Sequence, residues 1–280
     1  MLPRFFVVTY ILTWLWFGIA VALFGLLSVV NATPGEDAHE QAAKIVLQLQ
    51  RADYEGNQSA MQQSYDALTP FLNNKELVSR IHYWRGFAQW RRAINGFNDS
   101  VDLYELEHDL NLALDEFKAS LEVDPAFVDA KAGIISSLGY MAYMNKKDRT
   151  RVKELVGQGM PLLKEALEAA PDNARLIWVH GPILWNIPPE RGGGQDKAIE
   201  NYLKGLEICA KTKASVDPLE PSWGKPELLM NLAYSYLNKK DPEVNAAERS
   251  AREALEVVPN WHYVKDILLP QILTAKMKAK

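Results

Sequence analysis

The sequence contains very little cysteine and has no strong excess of charge of either sign. Of its 280 residues only Cys209 is a cysteine, which excludes an internal disulfide and a cysteine-based zinc site. The 31 basic and 35 acidic residues give a net charge of −4, so no positive field is available to attract nucleic acid. The apolar and charged fractions, 48% and 24%, are those of an ordinary globular protein.

Strand patterns are missing as well. After Pro34 no run alternates apolar and polar residues with enrichment in β-branched types, so we predict no strands. Apolar residues instead recur three and four positions apart, and breaker residues interrupt them at regular intervals. The predicted helices cover residues 38–54, 58–72, 76–95, 105–123, 127–144, 149–170, 173–186, 195–212, 225–239, 243–258 and 261–277. This series predicts an all-α protein and prompts a search for internal repeats.

The first 32 residues are dominated by an uncharged apolar run, Phe5 to Val30. As a helix its 26 residues would be about 39 Å long, more than the hydrocarbon core of about 30 Å. We therefore predict a signal anchor over residues 1–32, with membrane contact through residues 5–30 and a linker over 33–37. The alternative is a signal peptide, cut at the small-residue site Val30-Asn31-Ala32.

The charges around this run predict its orientation. Arg4 is the only basic side chain before it, whereas Glu36, Asp37 and Glu40 follow it. Because basic residues tend to stay on the cytoplasmic side, we expect the bulk of the chain outside the cytoplasm, with the bacterial periplasm as its location. After cleavage of a signal peptide the domain would instead be secreted.

Four segments align at the ends of alternate predicted helices. They are Ala113-x3-Phe117-x2-Ser120-Leu121-x3-Pro125, Gly159-x3-Leu163-x2-Ala166-Leu167-x3-Pro171, Ala198-x3-Tyr202-x2-Gly205-Leu206 with Ala210 in place of the proline, and Ala246-x3-Ser250-x2-Ala254-Leu255-x3-Pro259. Equivalent positions lie 46, 39 and 48 residues apart. Small residues at two fixed places, an aromatic residue between them and a closing proline resemble the tetratricopeptide repeat.

The resemblance implies an antiparallel helix-pair solenoid over residues 38–280, with about five helix pairs and a closing helix. Residues 38–72 would form a degenerate opening pair, and residues 261–277 the closing helix. The pattern has a physical basis. Small residues let two helices approach closely, the aromatic residue fills the gap to the next repeat, and the proline ends the second helix.

In the tetratricopeptide family the first helix of each repeat lines a concave surface that binds peptides or protein partners. Transferred to this sequence, those positions imply a set of partner-binding residues on three helices. They are His82, Arg85, Gln89, Arg92, Arg175, Trp178, Trp185, Glu227, Met230 and Tyr234. Arginine beside tryptophan suits an acidic segment or a C-terminal carboxylate of a protein partner.

Two alternatives to this surface stay open. Trp178 and Trp185 fit a buried helix face as well as they fit a groove. Arg91 and Arg92 fit a solvated helix end.

A proline- and glycine-rich stretch runs from Pro188 to Asp196. A glycine-rich loop that opens a helix can bind phosphate, but this one has no preceding strand and lacks the Gly-Lys-Ser/Thr ending of a P-loop. We therefore predict a flexible connection in which Asp196 caps the next helix. A similar loop occurs in some bacterial extracytoplasmic repeat proteins that partner substrate-import systems.

The sequence shows no spacing typical of a catalytic or metal site. The five histidines form no HxxxH or HExxH pair, and no Gly-x-Ser-x-Gly motif occurs. We predict a non-enzymatic protein without a metal or cofactor.

The leading hypothesis is an extracytoplasmic interaction scaffold for proteins, tethered to the membrane. The alternative is a periplasmic transport-accessory protein that binds a small molecule or a solute-binding partner, with a ligand near Trp178, Trp185 and residues 188–196. A third hypothesis, a helical-toroid hydrolase, requires two carboxylates about 5–10 Å apart in one cleft.

Overall fold

The computed structural model describes residues 37–278. The predicted anchor or signal peptide over residues 1–32 lies outside the described residues, as does the predicted linker apart from Asp37. Among residues 37–278 no helix combines the length and the apolar composition needed to span a bilayer.

Every regular element of the described chain is a helix, and none is a strand. The α-helices are α1 (Ala38–Tyr54), α2 (Gln58–Ala67), α3 (Val78–Asn98), α4 (Leu103–Val123), α5 (Val128–Met144), α6 (Arg149–Ala169), α7 (Ala174–Asn186), α8 (Gln195–Lys211), α9 (Lys225–Asn238), α10 (Val244–Val257) and α11 (Leu269–Lys278). Short 3₁₀-helices cover Thr69–Asn73 and Pro189–Arg191, and a π-helical turn covers Tyr263–Leu268. The predicted all-α series of five helix pairs and a closing helix is confirmed within the described residues.

Side-chain caps explain where several helices begin. Asp37, Asn57, Asp102, Asp148 and Asn173 each accept a hydrogen bond from a backbone N–H in the first turn of the helix that follows. Such a cap typically stabilises a helix by about 1 kcal/mol. These short polar residues account for the close agreement between predicted and observed helix starts.

Two predicted helices are divided near a proline. The helix predicted over 58–72 ends at Ala67 and continues as a 3₁₀-helix that carries Pro70 in its first turn. The closing helix begins with the π-helical turn and becomes α-helical at Leu269, next to Pro270. Proline lacks the N–H needed for a regular helical bond and clashes with the carbonyl four residues earlier, so the regular helix is interrupted at both places.

Aromatic residues of the second helices pack against glycines of the first helices, as the repeat pattern predicts. A Cβ atom added at Gly181 would lie 2.0 Å from the ring of Tyr202. A Cβ atom at Gly133 would lie 2.4 Å from the ring of Phe117, so this position of α5 requires a residue without a side chain. Close helix approach therefore depends on glycine at these two positions.

Candidate functional site

A segment between α8 and α9 packs against α1, α3 and α7, which are first helices of their pairs. We call the surface of these helices that contacts the segment the inner face. This inserted segment, Asp217–Trp223, follows a run of exposed residues from Lys211 to Val216. It begins with a β-turn, in which Glu220 N donates to Asp217 O at 3.1 Å and Leu219 N donates to Asp217 Oδ1 at 2.8 Å. Aspartate at the first position and Pro218 at the second are the residues that favour such a turn.

Side chains of α1 and α3 hold this turn. His39 Nε2 lies 2.9 Å from Asp217 Oδ1, and Arg80 Nε donates to Glu220 Oε1 at 2.7 Å. Trp84 Nε1 donates to the carbonyl oxygen of Leu219 at 2.8 Å. An acidic segment of the same chain is therefore held by the guanidinium of Arg80, the imidazole of His39 and the indole N–H of Trp84.

The far end of the inserted segment is anchored in a cluster of aromatic rings. The Trp223 ring lies 5.7 Å from the rings of Phe87 and Trp90 and 5.6 Å from that of Trp178, between ring centroids. Its indole N–H donates to the Tyr83 hydroxyl at 2.9 Å. Trp178 is 4% exposed, so it belongs to the core, which was the alternative left open by the sequence.

Arg175 joins this cluster to the neighbouring repeat. Its guanidinium forms an ion pair with Asp129 of α5, and its Nη1 donates to the carbonyl oxygen of Trp223 at 3.3 Å. Arg175 therefore contacts the inserted segment, and its charge is already paired with a buried carboxylate. Binding of a partner by Arg175 stays a prediction.

The predicted partner-binding residues of α3 point away from the inserted segment, toward α2 and α4. His82 Nδ1 and Arg85 Nε lie 2.7 and 2.8 Å from the carboxylate oxygens of Glu116 on α4. Arg85 Nη1 also donates to Tyr65 O of α2 at 2.7 Å. Although burial alone raises the pKa of Glu116, the hydrogen bonds from His82 and Arg85 lower it below its ordinary value.

Gln89 and Arg92 make further polar contacts on the same side of α3. Gln89 is fully buried and donates to Gln62 Oε1 at 2.9 Å, while Arg92 Nη1 donates to Asp109 Oδ1 at 2.9 Å. The four predicted α3 residues share one helix face, but that face packs between α2 and α4 and not on the inner surface. Binding of a partner by these four side chains stays a prediction, and it would require their present contacts to break.

The inner face of α3 is formed by residues that the sequence reasoning missed. Arg80, Trp84, Phe87 and Arg91 follow each other at spacings of four, three and four, which places them on one side of the helix. Their spacing was visible in the sequence, but nothing in the sequence set the rotation of α3 relative to its neighbours.

Arg91 is buried and does not lie at a solvated helix end. Its Nε donates to both carboxylate oxygens of Asp53 on α1 at 2.8 Å, and Asn95 Nδ2 donates to Asp53 Oδ1 at 2.9 Å. Within the described residues Arg91 Nη1 and Trp178 Nε1 are buried without a hydrogen-bond acceptor. The ion pair of Arg91 with Asp53 connects the first and second helix pairs through the interior.

The residues predicted on α9 have unequal exposure. Glu227 is buried, accepts from Tyr54 Oη at 2.8 Å and from Gly224 N at 2.9 Å, and has a pKa raised by burial. Met230 is half-buried, as is Trp185 of α7, and Tyr234 is 46% exposed. Of these four side chains, Tyr234 is the most accessible to a partner.

The loop before α8 differs from its prediction in one detail. Gly194 occupies the N-cap position of α8, and no side chain caps that helix. Asp196 lies in the first turn and forms an ion pair with Lys239 at 3.2 Å. Across residues 37–278, no cluster of His, Cys, Asp and Glu side chains is arranged to hold a metal ion.

An open pocket of about 420 Å³ lies between α4, α5 and α6, away from the inserted segment, none of whose residues lines it. We call it the outer pocket. Its walls are mostly aliphatic, with three polar residues among them. They are Leu114, Lys118, Leu121, Ile134, Leu138, Gln158, Pro161, Leu162 and Glu165. The outer pocket does not include Trp178, Trp185 or the 188–196 loop, where the sequence suggested a ligand.

Comparison with known proteins identifies the fold but no family. No protein-family model matches the sequence, and no curated protein matches it. The structure is similar to the HusA haemophore from Porphyromonas gingivalis, with a TM-score of 0.58 and 16% identity over 76% of this chain and 99% of that one. It is also similar to a thermophilic TPR protein from Thermus thermophilus, with a TM-score of 0.57 and 19% identity over 84% of this chain and all of the other. At this level of identity the similarity establishes a TPR-like fold.

Proposed function

We propose that this chain is a non-enzymatic interaction scaffold whose inner face binds an acidic segment of a protein partner. In this proposal residues 5–30 tether it to the membrane, and the repeat domain lies outside the cytoplasm. TPR-like folds bind protein segments along the surface formed by their first helices. The fold supports the general role, and the chemistry of the inner face supports the acidic segment.

One observation carries the proposal: the inner face already holds an acidic segment, its own. Arg80 and His39 contact the carboxylates of Glu220 and Asp217, and Trp84 donates to a backbone carbonyl. Hydrogen bonds between charged groups are shorter and stronger than neutral ones, and a bond to a carbonyl oxygen does not depend on the identity of the side chain. A segment from a partner finds the same donors.

Site-specific photo-crosslinking in intact membranes tests this function. A photoreactive residue at Ser222, which is exposed within the inserted segment, should give a discrete adduct with a partner protein. The matched control carries the same residue at Tyr104, which is 81% exposed at the start of α4. Adducts of the same mass and yield from both positions, or none from Ser222, would contradict binding at the inner face.

A second candidate is a carrier function for a small apolar ligand in the outer pocket. The outer pocket is an open depression of about 420 Å³, and its aliphatic walls carry Lys118, whose ammonium group offers a partner to a carboxylate, and Glu165. One structurally similar protein is a haemophore. An apolar ligand with a carboxylate fits walls of this kind.

Titration with haem, followed by the shift of its Soret band, tests the carrier function. Leu121→Asp places a charge in the outer pocket and should abolish the shift, because an unpaired carboxylate opposes binding of an apolar group. Leu103→Asp on the same helix is the control, since Leu103 is 53% exposed and does not line the pocket. Equal shifts from both variants would exclude the outer pocket.

A further inference from the structure

We infer that residues Asp217–Glu220 are an intramolecular competitor of the partner, and that the partner segment carries two carboxylates at the same three-residue separation. We call these residues the latch. The inference rests on the proposed function, since it assigns the occupant of the same inner face. Its basis is the difference in burial between the two ends of the inserted segment.

The Trp223 end is fixed and the latch end is accessible to solvent. Trp223 is buried among aromatic rings, whereas the side chains of Asp217 and Glu220 are 41% and 39% exposed. Residues 211–216, which lead into the latch, are all exposed. Exposed ion pairs contribute little to stability, so the two ion pairs of the latch are weak contacts. The main cost of opening the latch is exposure of the buried Leu219 side chain, and the aromatic cluster around Trp223 stays in place.

Leu219 supplies the apolar contact of the latch. Its side chain is 1% exposed, and its carbonyl accepts from Trp84 Nε1. A displaced latch therefore leaves an apolar site and an indole N–H, with Arg80 on one side and His39 on the other. A competing segment fits when it has an aliphatic residue between two carboxylates and a backbone carbonyl free to accept.

The two ion pairs of Arg80 also favour a partner segment that carries carboxylates. Arg80 lies between Glu220 and Asp124, at 2.7 and 2.9 Å, so one of its two anionic partners remains when the latch opens. The second carboxylate has to come from the incoming segment. A neutral or basic segment leaves the guanidinium without that second partner.

A peptide binding experiment on the full chain tests the competition. The probe is a fluorescent peptide with the sequence of residues 214–222, which contains the latch but not Trp223. Asp217→Ala/Glu220→Ala removes both latch carboxylates and should bind this peptide at least about tenfold more tightly than wild type, because a tethered competitor acts at roughly millimolar effective concentration. A peptide with Asn and Gln in place of the two acidic residues should bind neither protein. Equal affinity for both proteins, or no binding to the variant, would overturn the inference.

Hydrogen exchange on the wild-type chain provides a measurement that does not depend on a variant. The amides of Leu219 and Glu220, which donate to Asp217, should exchange through local opening, faster than the amides of α3. Exchange of these two amides only on global unfolding would mean that the latch does not open, and would refute the inference.

The two proposals fail in different ways. If the variant binds the peptide more tightly than wild type but gives no crosslinked partner in membranes, the latch competes for an acid-binding site but the scaffold function fails. If crosslinking from Ser222 is as strong in wild type as in the variant and the peptide binds neither protein, the scaffold stands and the latch fails.

Discussion

Arg91 and Asp53 form a buried ion pair between α3 and α1. Asp53 accepts two hydrogen bonds from Arg91 and one from Asn95, so its charge is well compensated inside the domain. Taking two charges out of water is costly, and loss of either partner leaves the other charge unpaired. The pair therefore makes the position of α1 sensitive to a single side chain.

Arg91→Ala should lower the free energy of unfolding by about 3–5 kcal/mol, because it leaves Asp53 buried and unpaired. Replacing both residues by aliphatic ones, Arg91→Met with Asp53→Leu, should restore much of this loss. Urea unfolding followed by circular dichroism gives both values. Arg51→Ala is the control: Arg51 forms an exposed pair with Glu55, so its loss should cost less than about 1 kcal/mol. Equal losses of unfolding free energy for Arg91→Ala and Arg51→Ala would refute the buried ion pair between Arg91 and Asp53.

At the scale of the helix, α5 contains two glycines in contrasting surroundings. A Cβ atom at Gly133 would meet the Phe117 ring, whereas one at Gly139 would have no neighbour within 4 Å. The first glycine permits close packing of α4 on α5, and the second has no such role. The two positions form an internal comparison within one helix.

Gly133→Ala should destabilise the fold by about 1–3 kcal/mol, since the new methyl group forces Phe117 out of its position. Gly139→Ala should leave the stability unchanged or raise it by up to about 1 kcal/mol, because alanine favours the helix more than glycine does. Thermal unfolding of the two variants beside wild type measures the difference. If both variants were less stable than wild type by a similar amount, or both more stable, the packing described for Phe117 would be contradicted.

The sequence predicted helices better than it predicted which way they face. Helix starts followed from capping residues such as Asn57 and Asn173, which act within a few residues along the chain. The face of α3 that lines the interior depends on contacts with α1, α7 and the inserted segment, all distant in sequence. A spacing of three and four defines a stripe on a helix, but not the direction in which the stripe points.

The inserted segment was predicted only as a loop. Its Asp-Pro pair indicates a turn, but no pattern links Trp223 to Trp90 or Trp178 across the chain. The packing of this loop against α3 and α7 decides which residues form the candidate site. That packing is a tertiary property, and the site therefore could not be read from the repeat pattern.

At the scale of the whole domain, residues just before the closing helix contact α1 and the turn between α3 and α4. The Tyr54 ring of α1 lies 5.2 Å from the Trp261 ring, between centroids, and His262 lies 3.0 Å from Asp99 in the turn between α3 and α4. His262 also lies 3.0 Å from Asp266. Two carboxylates thus flank one imidazole at the contact between the closing segment and the turn that joins α3 to α4.

This imidazole should make the stability depend on pH. Hydrogen bonds to Asp99 and Asp266 raise the pKa of His262 above its ordinary value of 6.5. The stabilisation that protonated His262 adds to the free energy of unfolding is therefore complete below pH 6.5. It is lost as the pH rises through the higher pKa that His262 has in the folded state. The difference in unfolding free energy between wild type and His262→Gln should shrink across this interval. A difference that grows with pH would refute the assignment.

The contact between the two ends also predicts coupling between them. A chain that stops at Asn260 lacks Trp261, so α1 loses its aromatic neighbour and its amides should exchange faster with solvent. A chain that stops at Lys276 keeps Trp261 and should leave the exchange in α1 unchanged. Equal exchange in α1 for the two truncated chains would show that the ends are independent.

The meeting of Tyr54 and Trp261 bears on how this protein can evolve. An open array of repeats gains or loses a unit by duplication or deletion, because each unit contacts only its neighbours. In this chain an added or missing helix pair would move Trp261 away from Tyr54 and His262 away from Asp99. Natural variation in the lineage should accordingly fall in the loops, such as residues 188–194, and the number of helix pairs should stay constant.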